Sequence, residues 1–350
     1  MSKNNHTVLI TGGFGYVGSR LTPLLLEQGY RVKVIDLNLY GDYGLTALKE
    51  HPDWNDFEKR FTYIHGDIRI PSTVQSALQE VDTVIHLAAI SNDPTGDIDE
   101  KLTKQVNFDA IGLLLSLAKS QGVKRFINAS SSSVFGIKNE ANVTEALEPE
   151  PLTWYSKYKM LSEWLVVGAS SPEFVTVNIR PATICGYSPR QRLDLTVNKL
   201  SADALTKKVI TVHGGNQRRP NVGITDMIHL YVQLITADAH LINGKTFNFG
   251  FENLKVIEIA QLIQSEMKDY NPEIAVTETQ DHRDYHISSQ KILTVLNYKP
   301  VSSIKAEVAN LRKALVDKAF GADNIDAPRF YNMKMMKLEP NASAYSFLSR

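Results

Sequence analysis

Cysteine is nearly absent from this chain: Cys185 is the only one in 350 residues. That excludes an intrachain disulfide and a zinc site built from several thiolates. An excess of charge of either sign is missing too, since Lys and Arg total 38 and Asp and Glu total 38. No overall field draws the chain to nucleic acid, so an anionic ligand has to be held by local charge. The opening stretch, MSKNNHTVLI, has no long apolar run. Neither a secretory leader nor a membrane anchor is expected from it, and cytoplasmic residence follows as the expectation. His282 and His286 stand four apart with no neighbouring Cys or Glu to complete a ligand set, so no metal is expected.

Glycine, by contrast, is concentrated where it can do chemistry. Val8, Leu9 and Ile10 form a short apolar strand, Gly12, Gly15 and Gly18 follow at intervals of three, and Leu21, Leu24 and Leu25 resume a helical face. Such glycines tighten a strand-to-helix turn, let backbone approach phosphates and allow the helix to pack on the sheet. RVKVID at 31–36 supplies a second strand that ends in Asp36. An acid there can accept both hydroxyls of an adenosine ribose, which favours a cofactor without a 2′-phosphate. Arg31 and Lys33 lie on the same strand, and either one turned inward would favour the phosphorylated form. Pro23 falls inside the predicted helix and invites a small kink.

Strand and helix signals then alternate. A polar insert over 37–60 reads as a loop with one short helix, FTYIH at 61–65 as a strand, TVQSALQEV as a helix and TVIHLAA at 83–89 as a buried strand. A helix over about 100–119, the strand RFINAS at 125–130, a helix from Trp154 and the strand FVTVNIR at 174–180 continue the series. This order predicts an α/β fold with a doubly wound parallel sheet. Beyond Pro181 the rhythm changes. Residues 1–180, with a returning segment at about 222–250, are expected to form the nucleotide-binding domain, and 181–221 with 251–350 a smaller, discontinuous substrate lobe. The cleft between them is the expected substrate site. Met333, Met335 and Met336, in an aperiodic tail, are expected to fill a groove on this chain or on a neighbouring subunit.

The second chemical signal is WYSKYK. Tyr155 and Lys159 are four apart and share one helical face. An ordinary tyrosine titrates near pKa ~10. A lysine ammonium one turn away, with a positively charged nicotinamide, would favour the phenolate. Ser131, at the preceding strand end, is placed to steady the same substrate oxygen, and Ser132 and Ser133 leave room for a ligand. Tyr158 is the weaker phenol because it points about 100 degrees from Lys159. His86, inside an apolar strand, is expected to be a core or cofactor-side residue. Among the arginines of the second half, Arg219 and Arg283 are expected to fork onto a diphosphate, whereas Arg190, Arg192 and Arg218 are expected to be solvated rim residues. Asn92 and Asp93, in SNDPTGD after the buried strand, are candidates to meet sugar hydroxyls; Asp93 alternatively organises the turn before Pro94.

The glycine loop, Asp36, GDI at 66–68, HLAA at 86–89, Ser131, the tyrosine–lysine pair and RPATICG at 180–186 occur in an order that resembles the extended short-chain dehydrogenase/reductase family, in its nucleotide-sugar epimerase and dehydratase branch. The likeness runs from about residue 7 to 300. It implies a Rossmann-type fold, NAD as cofactor and a nucleotide-diphosphate sugar as substrate. It further implies that Gly12, Phe14, Gly15, Tyr16, Val17, Gly18, Asp36, Asp67, Ile68, Leu87, Ala88, Ala89, Tyr155 and Lys159 surround the cofactor. Ser131, Tyr155 and Lys159 would form the catalytic set, and Asn92, Asp93, Ser132, Ser133, Arg219 and Arg283 would face substrate. Members that dehydrate sugars place an Asp–Glu pair just after the catalytic hydroxyl residue, where this chain has Ser132 and Ser133. The resemblance therefore implies epimerisation through a transient ketone. Net ketoreduction or another NAD(P)-dependent sugar modification by the same residues, decarboxylation and unusual-sugar synthesis included, and a non-catalytic dinucleotide-binding role stand as alternatives. Pairing of the helices at 100–119 and 154–168 with their copies would give a homodimer.

Overall fold

The computed structural model describes residues 5–138, 140, 142–278, 286–320 and 324–338. Seven strands build the main sheet: β1 (Thr7–Thr11), β2 (Arg31–Asp36), β3 (Phe61–His65), β4 (Thr83–His86), β5 (Arg125–Ala129), β6 (Val175–Pro181) and, arriving much later in the chain, β10 (Lys245–Phe249). Their order is β10-β6-β5-β4-β1-β2-β3, and every pair is parallel. Helices cover both faces, which is why TVLIT and TVIH are buried along their whole length instead of alternating. On one face Leu21, Leu25, Met227 and Leu230 pack on the sheet; on the other Val74, Ile111, Leu114 and Val166 do so. The chain winds outward from β1 in both directions, so the strand order reverses between β1 and β4. A crevice opens there at the carboxyl ends.

The remaining strands are β7 (Thr183–Cys185), β8 (Val209–His213), β9 (Arg218–Gly223), β11 (Glu252–Lys255) and β12 (Glu273–Thr277). They form a three-stranded sheet β11-β9-β7 and a parallel pair β12-β8. Val197, Ile210, Val212, Ile259, Ile263 and Val308 make a separate apolar cluster beneath them. No helix among the described residues is long and apolar enough to cross a membrane.

The structure differs from the predicted elements in three places. The insert after β2 carries two short helices, Tyr43–Lys49 and Trp54–Phe57, where one was expected. The helix expected over 100–119 is interrupted by a π turn at Gln105–Asp109. The extra residue turns Asn107 inward, where its Oδ1 accepts the Ile90 N–H and its Nδ2 donates to the Ile90 carbonyl, both at 2.9 Å. Finally, β4 ends at His86, because Ala88 leaves the ladder to donate its N–H to Thr11 Oγ1 at 3.3 Å. Pro23 lies inside the helix Gly18–Glu27, which runs through it. Met336, in the helix Asn332–Leu338, packs with Ile90 and Leu102 of the same chain and so fills a groove on its own protein, whereas Met333 is 38% exposed.

Candidate active site

A cavity of about 350 Å³ follows the crevice at the carboxyl ends of β1, β2, β4 and β5. Its floor is the turn after β1. Gly12 has a φ of +71°, and a Cβ there would lie 2.8 Å from the backbone of Ala88. A Cβ on Gly18 would lie 2.5 Å from the Gly12 carbonyl oxygen. Only hydrogen fits at either position, and the helix start is thereby brought against the sheet. Tyr16 ties this turn to the loop after β7: its hydroxyl donates to the Gly186 carbonyl at 2.8 Å, and Ser188 Oγ donates to the Tyr16 carbonyl at 2.6 Å.

Asp36 closes the turn from the side. Its carboxylate accepts the N–H groups of Phe14 at 2.9 Å and Asn38 at 2.8 Å. Burial raises its pKa, opposed by those N–H groups and by Arg190. Neither basic residue of β2 turns inward: Lys33 donates to the Gln79 carbonyl and Arg31 is exposed. Asp67, Ile68 and Arg69 line the cavity beyond β3. The Arg69 guanidinium forks onto the buried Asp67 carboxylate two residues before it.

Ser131 caps a short 3-10 turn, Ser132–Phe135, accepting the Ser133 N–H at 3.2 Å and the Ser133 hydroxyl at 2.9 Å. Tyr155 and Lys159 enter from the helix Trp154–Gly168, whose start is fixed by a Thr153/Ser156 capping box. The Tyr155 phenol lies close enough to the Ser131 hydroxyl for that group to act on its titration. Lys159 Nζ donates to the Ala129 carbonyl at 2.6 Å, and burial holds its pKa down to about 8, with Glu163 acting the other way. Burial first, and then Asp93, push Tyr155 up to about 12, and the groups that act downward are Ser131 and Arg192. In this structure the phenol is therefore protonated at neutral pH. His86 is buried between Thr11 Oγ1, 2.7 Å from its Nδ1, and the Phe126 ring; burial and then Lys159 lower its pKa to about 3, so it is neutral.

The loop SNDPTGD folds as a short helix, Asp93–Gly96, against the start of the Tyr155 helix. A Cβ on Gly96 would lie 2.7 Å from the Tyr155 Cβ. Asn92 and Asp93 both line the cavity. Asn92 caps the helix by accepting the Thr95 N–H at 3.0 Å and donates to Asp194 at 3.1 Å; Asp93 accepts from Thr153 Oγ1.

Arg190 and Arg192 were expected at a solvated rim, and the structure overturns this. They are 3% and 8% exposed and line the cavity wall. The loop that carries them is folded over the glycine turn by Tyr16, which removes both guanidiniums from water. Arg192 donates to Asp194 at 2.8 Å. Burial raises the Asp194 pKa, yet the guanidinium outweighs it and leaves the carboxyl below its ordinary value. Arg190 lies over the Tyr40 ring, 4.1 Å from its centroid, and donates to Asn332 Oδ1. Asn332 in turn donates to Ser91 Oγ at 2.9 Å.

The cavity thus gathers Gly12, Gly15, Tyr16, Val17, Gly18, Asp36, Asp67, Ile68, Leu87, Ala88 and Ala89 with Asn92, Asp93, Ser131, Ser132, Ser133, Tyr155 and Lys159. Two predicted residues among the described ones are not brought into it. Phe14 turns its ring into the core against Phe61 and Tyr63 and offers only its N–H to Asp36. Arg219, on β9, does not line the cavity. Arg283, like His282, lies outside the described residues. Residues missed by the sequence reading are Arg190, Arg192, Asn332 and Met336, which also line the wall. A dinucleotide fits on two observations: the glycine turn leaves backbone bare where any side chain would collide, and Arg190 Nε is buried without an acceptor among the described residues.

Residues 8–250 match the NAD dependent epimerase/dehydratase family. The chain is 30% identical over 314 residues to an uncharacterized UDP-glucose epimerase of Bacillus subtilis, covering 87% of this chain and 96% of the relative. It is 28% identical over 310 residues to UDP-glucuronic acid decarboxylase 1 of Danio rerio, covering 85% of this chain and 70% of that protein. Among solved structures it resembles UDP-glucuronic acid 4-epimerase from Bacillus cereus in complex with UDP-glucuronic acid and NAD, with a TM-score of 0.77 and 25% identity over 89% of this chain and 99% of that one. The chain is an enzyme of the NAD dependent epimerase/dehydratase family, with NAD as its cofactor.

Proposed function

We propose that the enzyme epimerises a nucleotide-activated sugar through a transient ketone, with Tyr155 as the proton-transfer group. The observation that carries this reading is the meeting of Ser131, Tyr155 and Lys159 in the cavity whose floor is the glycine turn. The UDP-sugars named for its relatives make uridine the first base to test. When bound, oxidised NAD supplies a two-electron sink and a positive ring. Gly12, Gly15, Gly18 and Asp36 would hold its adenosine diphosphate half, and Lys159 its nicotinamide ribose. With the positive ring of bound NAD beside it to favour the phenolate, Tyr155 would take the proton of one sugar hydroxyl and give it back after the sugar has presented its other face. Ser131, which lines the same cavity and acts on the phenol's titration, would position the same oxygen. Asn92, Asp93, Ser132 and Ser133 line the cavity near them and are the substrate-facing groups in this reading. Ser132 and Ser133 offer no carboxylate for eliminating water from the sugar.

Two broader assignments belong to the same proposal. The separate apolar cluster under β8, β9 and β12 supports a smaller substrate lobe built from 181–221 and 251–350. Trp164, 60% exposed, and Val167, 39% exposed, stand on the Tyr155 helix and support a homodimer built on that face.

The test is isomer exchange. UDP-, GDP-, CDP- and dTDP-sugars are incubated with enzyme that carries only its own NAD, and products are separated chromatographically. Interconversion without net NADH formation is expected. Stoichiometric oxidation of added NADH with accumulation of an alcohol would instead assign a ketoreductase. Tyr155→Phe is expected to keep NAD and lose at least ~10²-fold in turnover; near-normal turnover would remove Tyr155 as the base.

A further inference from the structure

The family match ends at residue 250, yet the cavity has a wall from far beyond it. Asn332 and Met336 lie one turn apart on the helix Asn332–Leu338 and both line the cavity. Asn332 is 1% exposed and fully engaged. Its Oδ1 accepts from Arg190 at 2.5 Å, its Nδ2 donates to Ser91 Oγ at 2.9 Å, and its N–H donates to Asp194 at 3.1 Å. One side chain and its backbone thus join the loop after β7 to the loop after β4, across the site. Met336 completes an apolar group with Ile90 and Leu102, against which Leu39 and Val106 also pack.

Arg190 is the residue that this arrangement fixes. Its guanidinium is held between the Tyr40 ring and Asn332, close enough to Asp36 to act on its titration. It has no carboxylate partner of its own at hydrogen-bond distance among the described residues, and its Nε is buried without an acceptor. A buried cation left with an unused donor in a ligand cavity is an anion site in waiting, since that group is costly to bury unless a ligand satisfies it.

We propose that the helix Asn332–Leu338 is a cofactor-retaining wall, in which Asn332 is a positioning residue that aims Arg190 at the diphosphate of NAD while Met336 closes the apolar end of the cavity beside it. This rests on NAD being the cofactor and is independent of which reaction the enzyme runs. A diphosphate also occurs in a nucleotide-sugar substrate, so the experiment has two arms.

NADH release is followed by stopped-flow fluorescence when the loaded full-length enzyme meets excess NAD, and UDP binding is measured by calorimetry. Asn332→Ala is expected to speed NADH release at least ~10-fold, the loss of a hydrogen bond to a charged group, while UDP affinity stays within ~3-fold of the original. Arg190→Ala is expected to speed release as much or more. In that background Asn332→Ala should add less than ~2-fold, because the two act as one unit. Unchanged NADH release in Asn332→Ala overturns the proposal, as does an undiminished effect in the Arg190→Ala background. Weakened UDP binding with normal NADH release overturns it too and assigns the wall to substrate. If Asn332→Ala does not fold, Met336→Ala decides: release faster by at least ~3-fold supports the wall, the cost of losing apolar contact, and unchanged release sinks it.

Discussion

Lys159 is the residue whose surroundings work most plainly against its charge. It is 2% exposed, and its pKa falls from 10.5 to about 8 through burial. The unfolded chain therefore holds this proton to higher pH than the native one, so this group's contribution to stability rises between about pH 8 and pH 10.5. Below that window the native state carries a penalty on the order of 3 kcal/mol. Lys159→Met is expected to remove it: denaturant unfolding of the cofactor-free protein should show the variant's relative stability greatest below pH 8 and declining toward pH 10. A difference independent of pH would mean that the ammonium is not desolvated. Gly12, Gly18, Asp36, Tyr155 and Lys159 were legible because each belongs to a local pattern whose spacing carries its own geometry. The titration of Tyr155 was not legible, since Asp93 and Arg192, which act on it, lie 62 and 37 residues away in sequence.

Among the elements, the short helix Asp93–Gly96 has the greatest leverage for its size. It leaves no room for a methyl group between itself and Tyr155, a Cβ on Gly96 being 2.7 Å from the tyrosine Cβ. Gly96→Ala is expected to displace the phenol while leaving the glycine turn intact. Turnover should drop at least ~10-fold, as for a catalytic group misplaced by a fraction of an ångström, with NAD still copurifying in full. Normal turnover would show that the two helices separate freely. The sheet elements were legible because both of its faces are covered and its strands read as apolar runs. The π turn at Gln105–Asp109 was not, because its cause is Asn107 satisfying the backbone of Ile90, 17 residues earlier. The loop carrying Arg190 and Arg192 was misjudged for a related reason: charged residues in an irregular stretch read as solvated until Tyr16 and Asn332 are seen to enclose them.

At the scale of the whole molecule, the exposed indole of Trp164 is the feature that a lone subunit leaves unexplained. Trp164→Glu is expected to weaken self-association at least ~10-fold, a charge placed at an interface anchor. Light scattering coupled to size exclusion should then show a dimer for the natural protein and a monomer for the variant at low micromolar concentration. A natural protein that elutes as a monomer would assign the Trp164 face to another role. The parallel sheet was readable from the alternation of its elements as far as β6; β10 pairs with β6 from 64 residues beyond the end of that strand.

The cavity wall that begins at Gly12 and ends at Met336 also sets an order of events during synthesis. A ribosome adding ~5–20 residues per second takes on the order of tens of seconds to pass from the glycine turn to Asn332. Late in that interval the strands that cradle the dinucleotide are all synthesised, while Arg190 still lacks Asn332 to hold it. A cofactor arriving early would find a berth it can leave; one present when the last helix emerges would be enclosed.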